Sequence, residues 1–119
     1  MSDAVSHAAD CIFCKIVAGD IPADVVHTTE RAVAFRDTNP QAPTHVLVVP
    51  KDHYADGAEL AAADPAAAAE LLTAAKAVVE AEGHDSYRMV FNTGADAGQT
   101  VFHAHLHVLA GRVMGWPPG

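Results

Sequence analysis

The sequence predicts an α+β fold with an antiparallel sheet, and three observations support this prediction. Extended apolar segments outnumber helical ones, several links between them are too short for parallel crossovers, and only one long segment has helical spacing. The 119 residues are 50% apolar, which suits one compact domain with a substantial core. Because no repeat or linker is present, we expect a single domain over residues 11–119.

The first half of the chain predicts a short helix followed by three strands. Residues 11–19 are typical of one or two helical turns that end at Gly19. A loop with two prolines, over residues 37–43, separates the second predicted strand from the third. The three strands are predicted over residues 25–28, 31–35 and 45–49, and Pro50 ends the last one.

The second half predicts one long helix and two further strands. Asp64 can cap the helix, Pro65 fits its first turn and Gly83 stops it. Strands are predicted over residues 87–92 and 103–109, with a glycine-containing loop between them. The predicted core face of the helix consists of Leu71, Leu72, Ala75, Val78 and Val79.

Charge and composition narrow the classes of function. The formal net charge of −8 argues against nonspecific binding of nucleic acid, which requires a basic surface. No stretch approaches the roughly 20 apolar residues of a membrane span, so no membrane association is expected. Residues 1–10 lack the basic start and apolar segment of a signal peptide. We therefore expect a cytoplasmic protein whose residues 1–10 form a disordered tail.

Three histidines alternate with apolar residues near the end of the chain. In a strand, His103, His105 and His107 share one face, with successive side chains about 6.5–7 Å apart. Imidazole can attack phosphorus, transfer protons or bind metal. A zinc site, covalent catalysis on a phosphate, and a polar sheet face with incidental histidines all fit this pattern.

The loop before these histidines has the composition of a phosphate-binding turn. Gly94 and Gly98 allow the backbone to approach a ligand closely. Backbone amides near Gly98, the side chain of Gln99 and the hydroxyl of Thr100 could donate hydrogen bonds to phosphate oxygens. A plain hairpin loop is the alternative interpretation of this segment taken alone.

The two cysteines have C-x-x-C spacing. Cys11 and Cys14 fit half of a zinc site or a redox pair, although no predicted strand precedes them as a thioredoxin-like motif requires. A stable disulfide is not expected in the cytoplasm. Two reduced thiols packed as small apolar groups are the other alternative.

The C-terminal tail contains the single tryptophan. Trp116 precedes two prolines, so this segment cannot form a helix or an inner strand. An indole left in water leaves a large apolar area unburied. We expect the tail to dock, either on its own subunit or on a partner.

These motifs together resemble the histidine triad (HIT) family, and the tail resembles its Hint-type branch. The resemblance implies an HIT fold with one long and one short helix, and a homodimer in which two five-stranded sheets form a continuous ten-stranded sheet. It covers residues 11–119 and is carried by segments 39–45, 49–51, 87–92, 98–101, 103–109 and 111–119.

The resemblance also implies an activity. The expected reaction is hydrolysis of the P–N bond of purine nucleoside 5′-phosphoramidates, that is AMP- or GMP-linked amines, through a covalent nucleotidyl-histidine. A dinucleoside polyphosphate hydrolase of the same fold and a non-catalytic nucleotide-binding module are the alternatives. A zinc-stabilised structural protein without hydrolytic activity is a further one.

By position in the motifs, the resemblance assigns individual roles. His105 is the expected nucleophile, His107 contacts the phosphate and assists the leaving group, His45 joins the relay behind them, and His103 orients its neighbours or binds metal. Asp37 is expected to hold the ribose hydroxyls. The remaining expected substrate contacts are Phe13, Ile16, Phe35, Thr38, Asn92, Gly98, Gln99, Thr100, Val101 and Trp116.

The resemblance also suggests a zinc site, which catalysis by His105 does not require. Its expected ligands are Cys11, Cys14, His45 and His103, a closed set of two thiolates and two imidazoles that is typical of a structural site. The other histidines of the domain, His27, His53 and His84, are given no role.

Overall fold

The computed structural model describes residues 10–119. The prediction of a disordered tail over residues 1–10 therefore falls, except for Asp10, outside the described residues. None of the helices between residues 10 and 119 is long and apolar enough to cross a membrane. The elements are α1 (Ile12–Ala18), β1 (Val25–Thr28), β2 (Ala32–Arg36), β3 (Thr44–Pro50), α2 (Gly57–Ala63), α3 (Pro65–Ala81), β4 (Tyr87–Phe91) and β5 (Leu106–Ala110).

The five strands form one sheet in the order β1-β2-β3-β5-β4. Every neighbouring pair is antiparallel, which confirms the predicted α+β class and the five-stranded antiparallel sheet. β3 lies at the centre and is buried along its whole length. β1 and β4 lie at the two edges of the sheet.

One face of the sheet is covered by α3 and carries the larger core. As predicted, Asp64 caps α3 by accepting a hydrogen bond from the amide of Ala67, and Pro65 opens the helix. Leu71 and Val79 are fully buried, whereas Leu72 is 43% exposed, so its predicted place on the core face is wrong. Leu72 follows Leu71 by one residue, about 100° around the helix, and this turn carries it out of the core.

A third helix, α2, was not predicted, since the sequence indicates one long and one short helix only. Asp56 caps it by accepting from the amide of Glu59 at 2.8 Å. The Asp-x-x-Glu spacing is a recognised helix start. Its seven residues contain a single buried large side chain, Leu60, so helical periodicity alone gives little signal.

The other face of the sheet carries the smaller core and faces α1. Neighbouring strands place Phe35, Leu47, His107 and Val90 in one row across this face. Phe13 of α1 packs against Phe35 with the ring centroids 5.6 Å apart. This row brings a histidine of β5 next to the apolar side chains beneath α1.

Candidate functional site

A cavity of about 720 Å³ lies between α1 and this second face of the sheet. His105 and His107 line one end of it, and Asp37 and Thr38 follow β2 along its wall. Phe13 and Phe35 belong both to the smaller core and to the cavity wall. Ile16, Thr100 and Val101, which the resemblance names as substrate contacts, also line the cavity.

The histidine segment is only partly a strand. β5 begins at Leu106, so His103 and His105 lie before it, and the expectation of one strand over residues 103–109 is wrong at its start. The amide of Ala104 donates instead to the carbonyl oxygen of Tyr54 at 2.7 Å. Side-chain alternation still holds, because Ala104 and Leu106 belong to the core on the α3 side.

His105 is held by the backbone. Its ring is buried, and its Nδ1 lies 2.8 Å from the carbonyl oxygen of His103. A carbonyl can only accept, so we assign the proton of neutral His105 to Nδ1. The opposite nitrogen, Nε2, is then an unprotonated electron-pair donor on a residue that lines the cavity.

His45 and His107 form a second, directional pair. The amide of Gln41 donates to Nδ1 of His45 at 2.9 Å, so the proton of neutral His45 is on Nε2. That nitrogen lies 3.0 Å from Nδ1 of His107, which must accept. The proton of His107 is thereby placed on Nε2, and its ring centroid lies 5.0 Å from that of His105.

Both members of this pair are held neutral. The pKa of His107 is lowered to about 4, chiefly by burial and then by the nearby rings of His105 and His45, against an opposing effect of Asp37. Burial also lowers the pKa of His45, again partly opposed by Asp37. The tautomers assigned above therefore apply at neutral pH.

Asp37 connects the relay to the rest of the cavity. Its Oδ1 accepts from the amide of Asn39 at 2.8 Å, and its Oδ2 lies 3.4 Å from Nε2 of His45. The carboxylate is partly exposed and lines the cavity. Each carboxylate oxygen can accept more than one hydrogen bond, so Asp37 can still accept from a ligand.

Gln99 organises the loop before the histidines. Its side-chain oxygen accepts from the amide of Gly94, and its nitrogen donates to the carbonyls of Ala55 at 2.8 Å and Val101 at 3.0 Å. The structure thus places this predicted substrate contact inside the protein and outside the cavity lining, with its side-chain amide hydrogen-bonded to the backbone. Asn92 and Gly98 lie in the same loop and do not line the cavity.

A compact group of metal-binding side chains lies beside the cavity. Cys11, Cys14, His53 and His103 each offer one ligand atom, and these atoms lie within 4.8 Å of one another. Nε2 of His103 lies 2.9 Å from the carbonyl oxygen of Pro50 and therefore carries the proton, so Nδ1 is the ligand nitrogen, 3.4 Å from both thiol sulfurs. Two thiolates and two imidazoles suit tetrahedral zinc, so these residues fit a structural zinc ion.

The predicted zinc set is wrong in one member. His45 lies with Asp37 and His107 instead, and His53, which was given no role, takes its place with Nδ1 3.3 Å from Sγ of Cys14. Pro50 ends β3 and the chain turns back toward α1, which carries His53 to the cysteines. Sequence spacing contains no signal for this turn of the chain. From the sequence alone, a histidine that follows Pro-Lys-Asp is typical of an ordinary surface position.

The indole of the C-terminal tail does not pack on its own subunit. Trp116 is 84% exposed, which contradicts that alternative. The guanidinium of Arg88 on β4 donates to the carbonyl oxygen of Gly115 at 2.7 Å and holds the tail beside this edge strand. Met89 and Phe91 of β4 are also exposed, so apolar side chains accumulate along the same edge.

Comparisons with known proteins agree with this architecture. A family model described as the HIT domain matches residues 18–114. A 14 kDa zinc-binding protein of Zea mays is 46% identical over 91% of this chain and 87% of its own length. An uncharacterised HIT-like protein of Synechococcus elongatus is 48% identical over 92% of this chain and 97% of its own.

Solved structures give the same result. An HIT family hydrolase from Legionella pneumophila matches with a TM-score of 0.87 and 48% identity, covering 92% of this chain and 100% of that one. An HIT family hydrolase from Clostridium thermocellum matches with a TM-score of 0.87 and 40% identity, covering 92% and 96% of the two chains.

Proposed function

The chain belongs to the HIT domain family, and we propose that it hydrolyses purine nucleoside 5′-phosphoramidates through a nucleotide bound covalently to His105. The observation that carries the proposal is the protonation pattern of the two cavity histidines. Nε2 of His105 is an electron-pair donor, and Nε2 of the adjacent His107 is a hydrogen-bond donor. Their ring centroids lie 5.0 Å apart, close enough to act on one phosphate.

The cavity has the chemistry for a mononucleotide. Its apolar part, between α1 and β2, suits a flat purine ring, and Phe13 and Phe35 form its floor. The carboxylate of Asp37 suits the two ribose hydroxyls, since a carboxylate accepts from both. Thr100 also lines the cavity, and its hydroxyl is a suitable donor to the phosphate.

The reaction then proceeds in two balanced steps. Nε2 of His105 forms a bond to phosphorus while the P–N bond breaks, Nε2–H of His107 donates a hydrogen bond to a phosphate oxygen, and the departing nitrogen takes a proton from water, which leaves hydroxide. That hydroxide next attacks phosphorus, and the bond to His105 breaks with its electron pair returning to Nε2. The products are the nucleoside monophosphate and a free amine.

A homodimer joined along β4 is part of the proposal. β4 is an edge strand with two exposed large apolar side chains, and Trp116 is held beside it with most of its indole in water. A second copy paired along this edge would continue the sheet to ten strands and cover these side chains. The tail would then lie against the partner, where it can contact the leaving group.

Zinc held by Cys11, Cys14, His53 and His103 would have a structural role in this function. With four protein ligands the ion has no open position for water or substrate. It would supply cross-linking of three chain segments, and the chemical steps belong to His105 and His107.

The test compares His105→Ala with His27→Ala, a histidine on edge strand β1 outside the cavity. We expect His105→Ala to lose at least about a thousandfold in turnover of adenosine 5′-phosphoramidate, as expected for loss of a nucleophile, while AMP affinity changes little. Rapid quenching of the wild type should trap one nucleotide on residue 105, detected by peptide mass spectrometry. Unchanged turnover in His105→Ala would exclude this residue as the nucleophile.

The rival substrate class is tested with the same protein. Under the proposed function, turnover of the AMP amide should exceed that of a diadenosine polyphosphate. The reverse preference would favour a polyphosphate hydrolase. Absence of both activities with retained AMP binding would favour a binding module.

A further inference from the structure

We propose that the metal-binding cluster, defined as Cys11, Cys14, His53 and His103, positions the nucleotide cavity, so that zinc and nucleotide bind cooperatively. The inference rests on the proposed function for the identity of the ligand. It concerns binding alone and requires no step of the reaction to depend on zinc. Three connections between the cluster and the cavity support it.

The first connection is α1, which serves both sites. Cys11 and Cys14 lie at the start of this helix and face the cluster. Ile12, Phe13 and Ile16 of the same two turns line the cavity. The helix has only seven residues, which is too short to be stable without tertiary contacts. A metal ion bound to its cysteines would therefore also stabilise the part of the cavity wall that the helix forms.

The second connection is His103, whose ring and carbonyl act on different sites. Its Nδ1 faces the two thiols of the cluster at 3.4 Å. Its carbonyl oxygen accepts from Nδ1 of His105 and sets the orientation of that ring. A ligand bond to the ring of His103 therefore restrains the group that orients His105.

The third connection is the segment over residues 50–55, which contains His53. Its carbonyls accept three hydrogen bonds from the segment that leads to His105. The donors are Nε2 of His103 to Pro50, the amide of Ala104 to Tyr54, and the side-chain amide of Gln99 to Ala55, at 2.9, 2.7 and 2.8 Å.

These connections make metal binding and nucleotide binding reciprocal. Zinc bound to all four residues would join α1, the 50–55 segment and the His103 segment, and would remove the freedom of three parts of the cavity wall at once. A nucleotide that finds the wall already ordered loses less entropy on binding. We expect a coupling of about tenfold in each dissociation constant, within the usual range for coupled sites.

The experiment measures AMP binding by isothermal titration calorimetry to the full chain, either zinc-loaded or stripped with a chelator. The expected result is about tenfold weaker binding by the stripped protein, restored by stoichiometric zinc. His53→Ala removes a zinc ligand, so it should bind AMP as weakly as the stripped wild type and should not respond to added zinc. Since His53 does not line the cavity, the variant leaves the direct contacts with AMP unchanged. His27→Ala is the matched control and should behave as the wild type.

The reciprocal measurement starts from the zinc-loaded wild type, and circular dichroism at its end point verifies that the zinc-free chain stays folded. An unfolded zinc-free chain would overturn the inference, since zinc would then stabilise the whole fold and not the cavity wall. Competition with a chromophoric chelator gives the zinc dissociation constant with and without saturating AMP, and we expect about tenfold tighter zinc binding with AMP. Equal values in the two conditions would overturn the inference, as would failure to bind one zinc per chain. If the zinc-loaded protein binds no AMP, the proposed nucleotide site fails as well, which distinguishes the two failures.

Discussion

Nδ1 of His105 lies 2.8 Å from the carbonyl oxygen of His103, two residues earlier in the chain. The ring that we propose as the nucleophile is thus oriented by the backbone. In many sites of this kind a carboxylate plays that part and also stabilises positive charge on the ring. Here a neutral carbonyl sets the tautomer without adding a charge beside His107, whose ring must also remain neutral.

The partly buried position of His107 predicts a specific dependence of stability on pH. Its pKa is lowered to about 4 in the folded protein, against an ordinary value of 6.5. Between these values the unfolded chain binds a proton that the folded chain does not, so the free energy of unfolding falls as pH falls from about 6.5 to 4. The contribution of His107 is at most about 3 kcal/mol.

Urea unfolding at pH 7 and pH 4.5 measures this effect, with His107→Asn as the comparison because asparagine does not titrate. The wild type should lose more stability over this interval than the variant. An equal loss in both proteins would show that His107 is not held neutral by the fold.

Gln99 is predicted to affect substrate binding indirectly, by stabilising the loop before the histidines. Gln99→Leu leaves the amide of Gly94 and the carbonyls of Ala55 and Val101 without their partner. We expect the free energy of unfolding to fall by about 2–3 kcal/mol and KM to rise, because Thr100 follows directly in the chain. Asp96→Ala, an exposed change in the same loop, should alter stability by less than about 0.5 kcal/mol. A normal KM in Gln99→Leu would remove the positioning role.

Trp116 predicts a fluorescence signal for association, since it is the single tryptophan and is 84% exposed in one chain. Its emission should move to shorter wavelength as protein concentration rises, with the same midpoint as dimer formation in analytical ultracentrifugation. Met89→Lys, which places a charge on edge strand β4, should abolish both changes. Dimer formation without a shift in emission would place the tail outside the interface.

The sequence predicted the sheet well because its signals are local. Apolar segments bounded by proline and glycine located all five strands to within a few residues, and the Asp64-Pro65 pair located the start of α3. Side-chain alternation correctly placed Ala104 and His105 on opposite faces. The same alternation predicted a strand that begins too early, at His103 instead of Leu106. The amide of Ala104 bonds to the carbonyl of Tyr54 and not to a neighbouring strand, and local sequence does not indicate such a tertiary contact.

The errors within the site also have tertiary causes. His53 joins the cysteines through a chain reversal after Pro50, and spacing alone cannot show where such a reversal leads. Gln99 is a suitable phosphate ligand by residue type, but its three partners include a carbonyl more than forty residues away along the chain. Residue type thus indicated the chemistry present, whereas the assignment of each group to substrate, metal or backbone required the fold.

The amide of Gln41 donates to the inner end of the hydrogen-bonded pair formed by His45 and His107. It permanently occupies Nδ1 of His45, so that ring has no acceptor to offer on its far side. Nδ1 of His107 accepts from His45 and its Nε2 carries a proton, so neither ring has a free acceptor for a further proton. Proton transfer during the proposed reaction is accordingly expected between the ligand and the water around it, and not through His45 into the protein interior.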